Sequence, residues 1–170
     1  DSMQVYKELK ILSARPEPKN YQNIKHHLYG FQKVKRNFST GDWLKLVINK
    51  IENLKKRKKT PILVGGTGLY FRSILNGLVN IPNIPIRSRN KIRSLHKDLG
   101  QKNFYKKLLK LDPKSKNKIN STDSQRSIRA YEVKYFTKKS IHDWFKETKS
   151  KFKKNEFFKI YIDFPRSELI

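Results

Sequence analysis

The sequence contains no cysteine. That excludes a disulfide framework and a cysteine-ligated zinc site. Long apolar runs are missing as well, and the run of about 18 apolar residues that a membrane span needs occurs nowhere. Acidic residues are few: 14 Asp and Glu stand against 40 Lys and Arg, a formal net charge of +26 over 170 residues. An acidic disordered tail is therefore excluded. Apolar residues make up 36% of the chain, below the usual share of roughly 45–50%, and charge fills the difference. The length suffices for one domain of ordinary size with a buried core. Residue 1 is Asp, and no charged-then-apolar leader follows it. We therefore expect no secretory signal, and expect the chain to begin within a longer protein.

The positive charge points to a polyanionic partner, with nucleic acid first among them. The cations are mostly Lys, 30 against 10 Arg, beside abundant Asn and Ile. An AT-rich genome produces that bias with no functional meaning. The arginines are more informative, because a guanidinium contacts phosphate in a bidentate way. They fall in local groups: Arg87, Arg89 and Arg93, then Arg126 and Arg129.

Periodicity divides the chain. Trp43, Val47, Ile51 and Leu54, with Leu44 and Ile48, recur at helical spacing behind Ser39 or Thr40 as cap, and the helix runs out in the Lys-rich stretch 55–59. Residues 61–64 are Pro-Ile-Leu-Val, then Gly65-Gly66, which reads as a buried parallel strand entering a turn. A helix follows from Gly68 to Leu75. This α–β–α run predicts a doubly wound α/β sheet. The proline-punctuated stretch 81–86 predicts a domain boundary. Beyond it, Arg87–Leu99, Phe104–Leu111, Pro113–Lys118, Ser124–Phe136 and Ile141–Lys149 read as helices, with Asn103, Asp112, Asp123 and Ser140 as caps. Residues 157–164 have strand composition.

Several clusters can carry chemistry. Gly65-Gly66-Thr67-Gly68 joins a strand to a helix, so backbone N–H groups and the Thr67 hydroxyl can hold an anionic oxygen; equally, the glycines can serve only a tight turn. It is not a Walker A loop, because no Lys follows the last Gly. Asp1-Ser2-Met3-Gln4 packs a carboxylate, a hydroxyl and an amide together, as a general base with a base reader or as an ordinary strand end. At the start of the helix after Asp123, Gln125, Arg126 and Arg129 lie near one face, for phosphate and base contacts or for solvent. Ile128 and Tyr131 point towards a core. His26-His27 has no acidic or thiol partner at ligand spacing, which favours packing over metal ligation.

Taken in order, these segments resemble the tRNA dimethylallyltransferase family, also called tRNA isopentenyltransferase. Asp1-Ser-Met-Gln-Val-Tyr resembles its D-S-x-Q-x-Y segment, Ala14-Arg-Pro16 its A-K-P and His26-His27-Leu28 its H-H-L. The match at residues 61–70, Pro-Ile-Leu-Val-Gly-Gly-Thr-Gly-Leu-Tyr, is the most specific. Leu111-Asp-Pro113 and the run 123–133 follow, and Thr137-Lys-Lys-Ser140 sits where the family commonly has T-G-x-S, with Lys138 in place of Gly.

The resemblance implies transfer of a dimethylallyl group from its diphosphate to N6 of adenosine-37, beside the tRNA anticodon. It implies a P-loop NTPase-like parallel-sheet core, incomplete here, with an α-helical insertion domain. The expected division is 1–84 for part of the α/β core and 85–122 for the tRNA-binding helical insertion, whose end could extend to about 150. Residues 123–170 would be the return helix and strand of the core. The family assigns catalysis to Asp1 as base and to Thr67, and places Gly65, Gly66 and Gly68 near the diphosphate. Its tRNA contacts fall on Asp1, Ser2, Met3, Gln4, Thr67, Arg87, Gln125, Arg126, Ser127, Ile128 and Arg129.

Mg²⁺ is implied as cofactor, with its main ligand in a G-x-x-x-x-G-K-[ST] loop expected before Asp1 and no metal ligand in the segment itself. The expected partners are the tRNA anticodon stem-loop and dimethylallyl diphosphate. The resemblance also implies a cytoplasmic monomer with no membrane association, and a 170-residue chain inactive when isolated. The alternatives are an adenylate isopentenyltransferase acting on AMP or ATP, which tends to have Lys where Ser2 stands, and a non-catalytic RNA-binding remnant. Another P-loop kinase-like enzyme suits the Asp1 and Asp123 segments poorly.

Overall fold

The structure is a computed structural model that describes residues 3–168. Five α-helices are present among them: α1 (Thr40–Lys56), α2 (Gly68–Asn76), α3 (Ile86–Leu111), α4 (Ser124–Thr137) and α5 (Ile141–Lys146). The chain divides into two compact units, Asp1–Gly77 with Ser150–Ile170, and Leu78–Lys149.

In the first unit, α1 begins at a reciprocal cap. Ser39 Oγ accepts from the Asp42 N–H, and the Asp42 carboxylate accepts from the Ser39 N–H at 3.0 Å. These bonds satisfy two of the donors a helix start leaves open. Trp43, Val47 and Ile51 form the buried stripe of α1 and meet Val5 and Ile74. Tyr70 of α2 stacks on Trp43 with ring centroids 4.2 Å apart, a favourable offset contact. The returning segment 150–157 is tied in by the Ser150 hydroxyl, which donates to the Ile74 carbonyl, and by Lys55–Glu156 and Lys151–Glu52 ion pairs.

The expected parallel sheet is not formed among the described residues. Their one β-bridge is an isolated parallel pairing of Tyr6 with Gln32. Residues 61–64 belong to no helix or strand, and Ile62 is 83% exposed. Residues 157–164 likewise form no ladder, and Ile160 and Ile162 are exposed. The physical reason is that a strand, unlike a helix, bonds only to a neighbour. Apolar composition alone cannot provide that neighbour.

In the Leu78–Lys149 unit, α3 is two helices meeting at Gly100, whose φ of 67° and ψ of 162° are non-helical. Glycine reaches that left-handed φ without a Cβ penalty. The two expected helices 87–99 and 104–111 are therefore present and joined. Asn103 does not cap the second, since its side-chain amide donates back to the Leu99 carbonyl. Phe104 and Leu108 are fully buried and pack with Ile92, Ala130, Tyr131, Val133 and Ile141. Thus α4 and α5 share a core with α3, and the three helices fall in one compact unit. Pro113–Lys118 is shorter than expected, a 3₁₀ turn at Pro113–Ser115, and α5 stops at Lys146 rather than Lys149.

Candidate functional site

The glycine turn and the histidine pair share one cavity. It measures about 880 Å³ and lies within the first unit. Gly65 and Thr67 line it together with His26, His27 and Leu28. One wall is the apolar side of α1, with Trp43, Val47 and Ile51. Among the described residues its cations are Lys25, Lys50, Arg57 and Lys59, and none of those lining it is acidic. Burial pushes the His27 imidazole below its ordinary range, and Lys50, Lys25 and His26 push it the same way. A cavity with that electrostatic bias disfavours further positive charge and favours anions. His26 is otherwise engaged: its ring stacks on Tyr21 at 4.1 Å between centroids and its Nδ1 lies 2.9 Å from the Ile24 carbonyl.

Thr67 is the residue before α2 and has extended backbone, so the first N–H groups of α2 follow it directly. A Cβ placed on Gly66 or Gly68 would meet nothing within 4 Å. The turn is thus open on the side that a Cβ would occupy at these two positions. Gln4 is placed elsewhere in the same unit. Its side-chain amide donates to the carbonyls of Ser13 and Ala14, at 3.2 and 3.3 Å. Arg15 braces the same loop by donating to the carbonyls of Tyr6 and Lys7. Met3 is exposed. Asp1 and Ser2 lie outside the described residues.

The other expected contacts lie on α3 and α4. Arg87 is exposed in the first turn of α3. Asp123 caps α4, accepting from the Arg126 N–H at 2.9 Å and from the Arg126 guanidinium at 2.5 Å. The Arg126 backbone donor is the main reason that the Asp123 carboxyl sits below the usual carboxylate range. Gln125 and Arg126 are exposed. Ser127 is buried and accepts from Gln101 at 3.2 Å, and Ile128 packs against the core. Of the run 125–129, only Gln125, Arg126 and Arg129 offer side chains to solvent.

Two buried carboxylates escaped the sequence reading as site elements. Glu132 on α4 is treated below. Asp112 is 1% exposed and accepts from Ser140 at 2.7 Å and from Ser115 at 3.3 Å. Ser115 in turn lies 3.2 Å from His142 Nε2. This network ties the turn after α3 to the cap of α5. The only sequence signal for it was the pairing of Asp112-Pro113 with a distant Ser140.

Among the described residues no group of three or more His, Asp or Glu converges as a metal site, and no helix is long and apolar enough to cross a membrane. The described residues do not by themselves offer a donor set that fits Mg²⁺.

A family model described as IPP transferase matches residues 4–170. The chain belongs to the IPP transferase family. A tRNA dimethylallyltransferase of Pelagibacter ubique strain HTCC1062 is 61% identical over 170 residues, covering 100% of this chain and 54% of that protein. A tRNA dimethylallyltransferase of Rickettsia bellii strain OSU 85-389 is 47% identical over 142 residues, 83% of this chain and 45% of that protein. The chain spans about half the length of the curated relatives it matches. Among solved structures, a eukaryotic dimethylallyltransferase acting on tRNA is 28% identical with a TM-score of 0.73, over 90% of this chain and 38% of that one.

The structure also accounts for where this IPP transferase segment departs from the family pattern. Lys138 follows α4 with φ 61° and ψ −2°, the left-handed conformation that closes many helices. Glycine adopts it at least cost. Lys138 occupies it instead, with its carbonyl accepting from Lys134 Nζ at 2.9 Å and its ammonium 5.2 Å from the centre of the Tyr135 ring.

Proposed function

We propose that a protein carrying this segment transfers the dimethylallyl group of dimethylallyl diphosphate to N6 of adenosine-37 in tRNA. The observation that carries this reading is family membership over residues 4–170 together with 61% identity to a tRNA dimethylallyltransferase. The reaction class follows from the chemistry of the two substrates. The N6 lone pair is delocalised into the adenine ring and is a weak nucleophile. As it attacks the allylic carbon, the bond from that carbon to the diphosphate oxygen breaks. The N6 proton passes to the Asp1 carboxylate, and the electron pair of the broken bond leaves on diphosphate. Negative charge builds on that leaving group, so N–H donors and cations are needed there. Thr67, Gly65, Gly66 and Gly68 at the start of α2 are the residues proposed to meet it, beside a cavity whose charged lining is cationic among the described residues.

The tRNA anticodon stem-loop is proposed to contact Asp1, Ser2, Met3, Gln4 and Thr67 in the first unit. In the helical unit its contacts are Arg87 and the run Gln125, Arg126, Ser127, Ile128 and Arg129. Base flipping is required, because N6 cannot meet the allylic carbon while adenine stays stacked. The α/β segments are proposed to belong to a P-loop-type parallel core, which supplies the Mg²⁺ ligand, and the helical unit to the insertion that grips RNA. The enzyme is proposed to be a cytoplasmic monomer.

The deciding assay follows transfer of labelled dimethylallyl to tRNA and to AMP by the protein expressed from the complete reading frame. We expect label in tRNA only. Label in AMP alone would replace this reading with adenylate prenylation. Binding of tRNA without any transfer would leave an RNA-binding protein. Asp1→Ala is expected to abolish transfer and spare tRNA binding; near-normal transfer by that variant would remove Asp1 as the base.

A further inference from the structure

Glu132 lies on α4, three residues after Arg129, and its side chain is only 4% exposed. A buried carboxylate is costly unless cations and hydrogen bonds compensate it. Here two guanidiniums do so, one from each helix. Arg129 Nη1 is 3.5 Å from Oε2, and Nε of Arg93 on α3 is 3.9 Å from Oε1. Oε1 accepts no hydrogen bond. The cations are not buried with it: Arg93 is 60% exposed and Arg129 40%. The buried carboxylate is therefore flanked by two arginines that keep part of their side chains in solvent, and each guanidinium carries five N–H donors.

One helical turn before Arg93 is Arg89, whose Nε is buried and has no hydrogen-bond partner. Residues four apart share a helix face. This face thus carries three arginines against one carboxylate. Arg126 differs, because its guanidinium folds back onto Asp123. A role for Glu132 as a mere staple between α3 and α4 is redundant. Phe104, Leu108, Tyr131 and Val133 already join those helices without charge.

We infer that Glu132 is a positioning residue for RNA. It gathers Arg93 and Arg129 from two helices into one phosphate-contact surface and makes Arg93 a further backbone contact. The inference rests on the tRNA reading above and deepens it. Two planar forks held at a fixed separation suit the phosphates of a folded stem, whose spacing is also fixed. A flexible single strand gains little from that arrangement.

The sign of one substitution separates this from simple electrostatics. Glu132→Gln removes a negative charge, and Coulomb attraction alone then predicts tighter RNA binding. Loss of positioning predicts weaker binding, because two freed arginines must be immobilised when RNA arrives. The experiment titrates the protein expressed from the complete reading frame with a synthetic anticodon stem-loop and with an unstructured RNA of the same composition, over a salt series. We expect Glu132→Gln to weaken stem-loop binding about five- to tenfold and leave single-strand binding unchanged or tighter. Glu132→Asp should recover part of the loss. Arg93→Gln should lower the slope of log affinity against log salt by about one contact. Arg93→Lys should keep the slope and still weaken stem-loop binding. Tighter stem-loop binding by Glu132→Gln, or wild-type binding by Arg93→Lys and Arg93→Gln, overturns the inference and leaves the tRNA reading intact. A wild-type chain that does not prefer the stem-loop overturns both. Should Glu132→Gln not fold, the two Arg93 variants decide.

Discussion

The two units solve the same problem with different means. In Leu78–Lys149 the helices carry their backbone bonds along the chain, and side chains close two of the starts: Asp123 caps α4 and Ser140 caps α5, while α3 follows Pro85 with no side-chain cap. Its core centres on Phe104, Leu108, Ala130 and Val133, all fully buried. In the first unit, only α1 and α2 are self-contained. Residues 61–64 and 157–164 are rich in apolar side chains and form no ladder, and Ile62, Val64, Phe158 and Ile160 stand exposed. Helices carry their hydrogen bonds along the chain, and strands must find theirs across it. A segment rich in helices is thus complete over a short stretch, and one rich in strands is not.

The largest test of that contrast removes a core side chain from each unit. Phe104→Ala should destabilise its unit by about 3–5 kcal/mol, read by urea unfolding. Ile62→Ala, equally apolar in sequence but exposed, should change stability by no more than about 0.5 kcal/mol. Equal losses would break the comparison. A smaller effect compares a buried acceptor with an exposed one. Asp112→Asn strips Ser140 and Ser115 of a charged partner and should cost about 2 kcal/mol. Ser39→Ala, at the exposed cap of α1, should cost about 1 kcal/mol.

The smallest effect is pH-dependent and common to both units. Burial first, then nearby lysines, hold His142 and His27 below the ordinary imidazole value of 6.5. The unfolded chain then binds more protons than the folded one, so stability is full above that value and falls as pH drops below it. Asp112 and Asp143 oppose the shift at His142, while no carboxylate opposes it at His27. Unfolding midpoints between about pH 7.5 and 5.5 should therefore fall for both units, and His142→Gln should remove the dependence from the helical unit alone. Persistence of that dependence in the variant would assign it to another group.

What the sequence made legible follows the same division. The helical starts at Ser39, Asp123 and Ser140 were readable because capping is a local rule. The inward direction of Ile128 and Tyr131 was readable because helical spacing fixes it. The strand reading of 61–64 is not met, since a strand and its burial depend on distant segments. Ser127 and Glu132 were hidden for another reason: a buried serine or carboxylate looks like a surface one until its neighbours are known. The functional motifs proved uneven in the same way. His26-His27-Leu28 and the glycine turn meet in one cavity, although nothing in their spacing of some forty residues announced it.

Gly100 divides α3 into two arms of nearly equal length. The arm that carries Arg87, Arg89 and Arg93 extends about 20 Å from this pivot, at 1.5 Å per residue. A change of about 10° in the angle between the arms would carry Arg87 sideways by about 3.5 Å, the size of one base-pair step along a duplex. No side chain fills the space a Cβ would take at Gly100; what spans the pivot is His96, whose Nε2 lies 2.9 Å from Gln101 Oε1 and whose ring meets that of Phe104 at 4.9 Å. Leverage of that kind makes a glycine and one histidine the gauge for where the arginines stand.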